Sequence, residues 1–198
     1  ESIKSVEVSP VFVIPQFPAI LIYICVFAFG ITIIEGAMAD WASVYVKEML
    51  GPDSQGTGFG FGVFAAFMAL GRFFGDNLKI RLGTIMFARV FLITSVIGLI
   101  ILVTADDLRL ALVGFALTGI GVSVGFPLAV TSAAYIDDKR EASFVAFLSL
   151  ISLIGFLVGP PIIGFIADVT NLKTGFLMLF PGLLLSLFLS SKLITNKN

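Results

Sequence analysis

Ala19 to Leu50 reads AILIYICVFAFGITIIEGAMADWASVYVKEML, an almost wholly apolar run as far as Ile34 followed by a helix-compatible segment carrying two carboxylates, Glu35 and Asp40. At about 1.5 Å per residue the apolar run reaches only ~24 Å, short of the roughly 30 Å of a bilayer core. The span must therefore continue into the acids or back into the prolines before it. The Ile, Leu, Val and Phe side chains of the run favour insertion by roughly 3 to 6 kcal/mol, of which one central acid cancels about 2.5 to 3.5. Insertion thus requires that Glu35 and Asp40 be spared lipid. Acids turned toward neighbouring helices or a shared water-accessible seam are what a solute pathway uses.

The whole chain has this character. Its 198 residues are 58% hydrophobic and 13% charged, with a mean hydropathy of +1.09, against about 25% charged in soluble domains. That is the composition of an integral membrane protein, with the lipid bilayer as its first partner. There is no histidine and a single cysteine, Cys25. Disulfides, Cys/His metal centres and histidine acid-base chemistry are therefore out of reach, so neither a metal nor a cofactor is expected. A net charge of -1 also argues against nucleic acid, which requires a basic face.

Apolar runs of about 20 residues predict six transmembrane helices, over residues 18–45, 56–74, 84–104, 108–135, 142–167 and 174–193. Only helices satisfy their own backbone in hydrocarbon, which makes the fold class all-α. Residues 1–17 read as the end of a cytoplasmic linker and 194–198 as a cytoplasmic tail. Lys4, Arg72, Lys79, Arg81, Lys139, Arg140, Lys192 and Lys197 fall on one side of the implied topology, against Lys47, Arg109 and Lys173 on the other. The richer side is cytoplasmic, and both ends lie there. Small residues predict helix contacts along three stripes: Gly58, Gly62, Ala66 and Ala69; Gly114, Thr118, Gly121 and Gly125; Ser152, Gly155 and Gly159.

Between the second and third spans, GRFFGDNLKIRLG sets Gly71, Arg72, Gly75, Asp76 and Arg81 in what reads as a basic loop. Its glycines permit close turns, and Asp76 can bind backbone N–H groups or a cation. The loop reads either as a latch between two conformations or as a plain topology signal.

That loop resembles the degenerate copy of the cytoplasmic loop motif in the carboxyl-terminal half of major facilitator superfamily transporters. EGAMADWASVYVKEMLG is similar to the end of the seventh helix in the bacterial sugar-permease-like, fucose-permease-related branch. GFLVGPPIIGFIADVTNLKTGF, from Gly155, is similar to that branch's penultimate helix. The resemblance implies a carboxyl-terminal six-helix half built from two inverted three-helix repeats, a missing amino-terminal six-helix half, and a bacterial inner membrane location. It also implies that the first and fourth spans line the solute cavity.

On that mapping the expected pathway residues are Glu35, Asp40, Trp41, Tyr45, Ser123 and Thr131. Glu35 and Asp40 lie about 140° apart at ~100° per residue, so they do not form a dyad. Asp40, Trp41 and Tyr45 read as a polar and aromatic rim of the cavity, or else as an interfacial belt. Gly125 and Pro127 mark a break in the fourth span, where freed carbonyls, Ser123 and Thr131 face solute or else bond back to their own helix. Gly159, Pro160 and Pro161 mark a second break or hinge. Where the family commonly has an amide this chain has Val124, a departure that weakens any transferred sugar specificity.

The function expected is secondary active transport of a small solute, a sugar or another hydrophilic metabolite, by alternating access, with protons as a candidate coupling ion. The alternatives are a half-size bundle acting as a homodimer or a non-transporting sensor and, more remotely, an intramembrane aspartyl protease. The protease needs two aspartates at hydrogen-bonding distance, whereas Asp40 and Asp76 are predicted near opposite membrane faces.

Overall fold

A computed structural model describes residues 17–50 and 56–194, and of Asp76 and Asn77 the backbone alone. Nearly all of the linker and tail read from the sequence, 1–16 and 195–198, lies outside the described residues. The helices are α1 (Ala19–Leu50), α2 (Phe59–Leu82), α3 (Thr84–Thr104), α4 (Leu108–Val122), α5 (Gly125–Ala134), α6 (Glu141–Val169), α7 (Leu172–Leu177) and α8 (Leu179–Leu189). A 3-10 turn, Ser190–Lys192, follows.

Among the described residues five stretches, not the expected six, are long and apolar enough to cross a membrane: Ala19–Leu50, Thr84–Thr104, Leu108–Ala134, Glu141–Val169 and Leu172–Lys192. In α2 only Phe59–Gly75 is apolar, because Lys79 and Arg81 occupy its last turns. The helix itself does not stop where its apolar stretch does. It runs through the whole basic motif to Leu82, since Leu, Lys, Ile and Arg are tolerated helix formers. The turn is Gly83 alone, at φ 72° with its N–H on the Lys79 carbonyl. The expectation of a loop carrying Arg72 is thereby corrected: Arg72 sits well inside a helix.

The prolines explain the interruptions. Each lacks the N–H that would bond the carbonyl four residues earlier, so Pro127 frees Ser123, Pro160 frees Phe156, Pro161 frees Leu157 and Pro181 frees Leu177. The fourth span is interrupted at Ser123–Val124 and the last at Met178. α6 behaves differently and continues through Pro160 and Pro161 without a break, which corrects the reading of Gly159-Pro160-Pro161 as a helix break. Gly36 of α1 lies against the freed Phe156 carbonyl, so that α1 covers the defect closely.

α1 is the centre of the bundle and packs on α6, α8, α5 and α2, while α3 packs on α4. Two small-residue stripes are contact surfaces: Gly114 and Gly121 lie against Leu102 and Ser95 of α3, and Gly155 and Gly159 against Thr32 and Ile33 of α1. The α2 stripe is not. Gly58 and Gly62 face open space and Ala66 and Ala69 are exposed, whereas Gly60 and Gly71, on the opposite side, touch Ala42 and Ser123.

The two ends of the bundle are tied by side chain to backbone bonds. At one end Tyr45 Oη donates to the Leu102 carbonyl at 2.6 Å, and Lys173 Nζ reaches the Ala105 carbonyl and Asp106 Oδ1. At the other, Ser132 Oγ accepts from the Ile194 N–H at 3.2 Å.

Candidate functional site

Glu35 lies at the middle of α1, about 24 Å from either end at ~1.5 Å per residue, deeper than its position near a span terminus in the sequence suggests. Its carboxylate faces Arg72 of α2, with Oε1 3.7 Å from Nη2. That oxygen is buried and has no hydrogen-bond partner among the described residues, so charge holds it there. Arg72 Nε in turn donates to the Ser123 carbonyl at 3.0 Å. This is the carbonyl that Pro127 deprives of its helical donor. One guanidinium thus compensates both a buried carboxylate and a backbone defect. The Ser123 hydroxyl donates back to the Ile120 carbonyl at 2.6 Å and its side chain is buried. Its contribution is the main-chain oxygen, and of the two readings open for Ser123 its hydroxyl takes the one bonded back to its own helix. Gly71 makes the junction possible, because a Cβ there would strike the Ser123 side chain.

From Arg72 a cleft of about 220 Å³ opens toward the Ile194 end, lined by Arg72, Gly75, Lys79, Val124, Pro127 and Thr131. Thr131 Oγ1 donates to its own helix, to the Pro127 carbonyl at 3.0 Å. Arg81 is exposed in the last turn of α2 and takes no part. Nothing is described of the Asp76 side chain.

Toward the opposite end, α1 and α6 flank an open groove of about 710 Å³, with Asp40, Trp41, Leu157, Pro161, Phe165 and Asp168 in its walls. Trp41 is fixed there. Its Nε1 donates to the Pro160 carbonyl at 2.9 Å, and its ring lies over Gly164, where a Cβ would come within 3.0 Å.

These positions revise the expected pathway. Glu35 and Asp40 do not share a seam, since Glu35 turns toward α2 and Asp40 toward α6. Tyr45 belongs to the packed interior rather than a rim. It is 2% exposed and meets Phe115 and Phe176 edge-on. Asp168 and Lys79 were missed by sequence reasoning. Asp168 could have been found as the residue four beyond Gly164 and seven beyond Pro161 on one helical stripe.

Residues 8–197 match the family model described as Major Facilitator Superfamily. The chain is 34% identical over 167 residues to an uncharacterized MFS-type transporter of Yersinia pestis, covering 84% of this chain and 43% of that protein. It is 27% identical over 164 residues to the uncharacterized transporter y4wD of Sinorhizobium fredii, covering 83% and 43%. To the membrane protein MosC of Rhizobium meliloti it is 28% identical over 154 residues, covering 78% and 38%. The chain thus spans less than half the length of each of these relatives.

Proposed function

The chain belongs to the major facilitator superfamily of membrane transporters, and from that premise we propose that it is the carboxyl-terminal half of a secondary transporter working by alternating access. The observation that carries this reading is the Glu35–Arg72–Ser123 junction. Two charges inside a membrane bundle are costly, and they are met here at a point where a helix is interrupted. A polar contact between a rod and a broken rod is one that can be made and released as helices rock.

In this reading α2, second in chain order, is the crossing that completes the set of six. It is 24 residues long, about 36 Å at ~1.5 Å per residue, and its cation at mid-height is neutralised from α1. Inverted repeats are supported by the pairing of spans. The first packs on the fifth and the fourth on the second, and the third packs on the fourth and the sixth on the first. These pairs interchange when the two three-span groups are exchanged. The open stripe of Gly58, Gly62, Ala66 and Ala69 suits close approach of a second six-helix half. The Ile194 end, carrying Lys79, Arg81, Arg140 and Lys192, is the cytoplasmic side of a bacterial inner membrane. The solute is a small hydrophilic metabolite, with the sugar-permease-like branch as its nearest analogy, and Glu35 is a candidate for proton coupling.

Single cysteines at Val44 and Thr131, in an otherwise cysteine-free full-length protein, test the reading. A membrane-impermeant maleimide should label Val44→Cys from outside only and Thr131→Cys from inside only. Cross-linking one end closed should raise labelling at the other. Labelling of the two ends that stays independent would remove alternating access.

A further inference from the structure

The groove between α1 and α6 presents hydrogen-bond acceptors and almost nothing to satisfy them. Asp40 and Asp168 both line it. Among the described residues neither makes an ion pair or a side-chain hydrogen bond. Leu157, in the same wall, has a carbonyl whose helical donor is abolished by Pro161. The side-chain donor among the described lining residues, Trp41 Nε1, is already committed to the Pro160 carbonyl. No Lys or Arg is among the described lining residues. The remaining walls are carbon, from Trp41, Val44, Phe156 and Phe165.

A volume of about 710 Å³ falls within the roughly 300–1,000 Å³ typical of small-molecule sites. What complements such a wall is a group with donors, positive charge and no acceptor of its own. An ammonium has three donors and no acceptor, whereas a hydroxyl brings an acceptor with each donor. Trp41, pinned by its hydrogen bond and by Gly164, offers a ring surface already held in place, and an aromatic face attracts a cation.

We infer that the α1/α6 groove binds a protonated amine carried on a compact apolar or ring body, with Asp40 and Asp168 as its counter-charges and Trp41 as its aromatic wall. This deepens the transporter reading by naming a solute class, and it rests on that reading for the movement of the solute, though not for its binding.

The test uses the full-length protein in nanodiscs, with phenethylamine set against 2-phenylethanol and glucosamine against glucose. At least one amine should raise the apparent Tm by about 2 °C or more near saturation, with its neutral partner leaving it unchanged. Both acids are exposed, so Asp40→Asn and Asp168→Asn should keep the ligand-free Tm. Each should weaken the amine response by about tenfold or more in midpoint concentration, as loss of a charge-assisted hydrogen bond implies. Neutral analogues that stabilise as well as the amines, amines that do nothing, or an amine response intact in both variants would each overturn the assignment. Alternating cysteine labelling retained in such a protein would leave the transporter reading standing. Amine binding that depends on Asp40 in a protein whose labelling does not alternate would sink transport and keep the site.

Discussion

Gly30 of α1 and Gly182 of α8 face one another, yet the same substitution at each should have opposite results. A Cβ on Gly30 would strike the Gly182 carbonyl oxygen and Ser186 Oγ, with the Gly182 carbonyl carbon at 2.9 Å. A Cβ on Gly182 would meet nothing nearer than Gly30 Cα at 3.4 Å, an ordinary contact. Overpacking of this kind costs about 1–3 kcal/mol. Gly30→Ala also displaces Ser186, whose hydroxyl bonds the Phe27 carbonyl at 2.8 Å and the Gly182 carbonyl at 3.0 Å, adding about 1 kcal/mol for a buried bond lost. Gly182→Ala gains up to about 0.8 kcal/mol of helix propensity instead. The two variants should therefore differ by roughly 3–5 kcal/mol. At ~2–4 °C per kcal/mol for a unit of this size, they should melt at least about 6 °C apart, with Gly30→Ala the lower. The assay is thermal unfolding of the purified full-length protein in one detergent, at one scan rate. Equal melting temperatures, or Gly182→Ala the less stable, would show that α1 and α8 do not meet as described.

The ion pair can be tested by a double-mutant cycle. Glu35→Gln and Arg72→Met should each destabilise, and the double variant should be more stable than their sum by about 1–3 kcal/mol; strict additivity in melting would dissolve the junction. Because the Arg72 side chain is 47% exposed, the lower end of that range is expected. Tyr45→Phe should cost about 1 kcal/mol through the Leu102 carbonyl and leave solute affinity unaltered, while an affinity change in uptake assays would return Tyr45 to the pathway. Gly83 sits at φ 72° with nothing within 4 Å, so Gly83→Ala should cost about 1–2 kcal/mol from backbone conformation alone. An unaffected melting temperature in Gly83→Ala would contradict the turn.

Much of the local architecture is legible residue by residue. Hydropathy marks the long apolar helices, and the proline at 127 identifies which carbonyl loses its donor by counting back four. What cannot be counted is where the replacement donor comes from. Arg72 reaches Ser123 across 51 positions, and its other partner, Glu35, lies on a third helix. Read locally, Arg72 belongs with Lys79 and Arg81 at a membrane surface, and the motif becomes a loop. The helix continues because no residue before Gly83 ends it.

Trp41 and Tyr45 show the same division. Both have an apolar body and a polar tip, so either suits an interface, a cavity wall or a packed core. The contact partners decide: the Pro160 carbonyl and Gly164 hold Trp41 at a groove, while Leu102, Phe115 and Phe176 enclose Tyr45. A helical chain at home in a bilayer can be read from the residues alone, because transfer into hydrocarbon and backbone self-satisfaction are properties of each segment. Which of the described charges find a partner emerges only once the helices are packed, because compensation depends on distances of a few ångströms between segments remote in the chain.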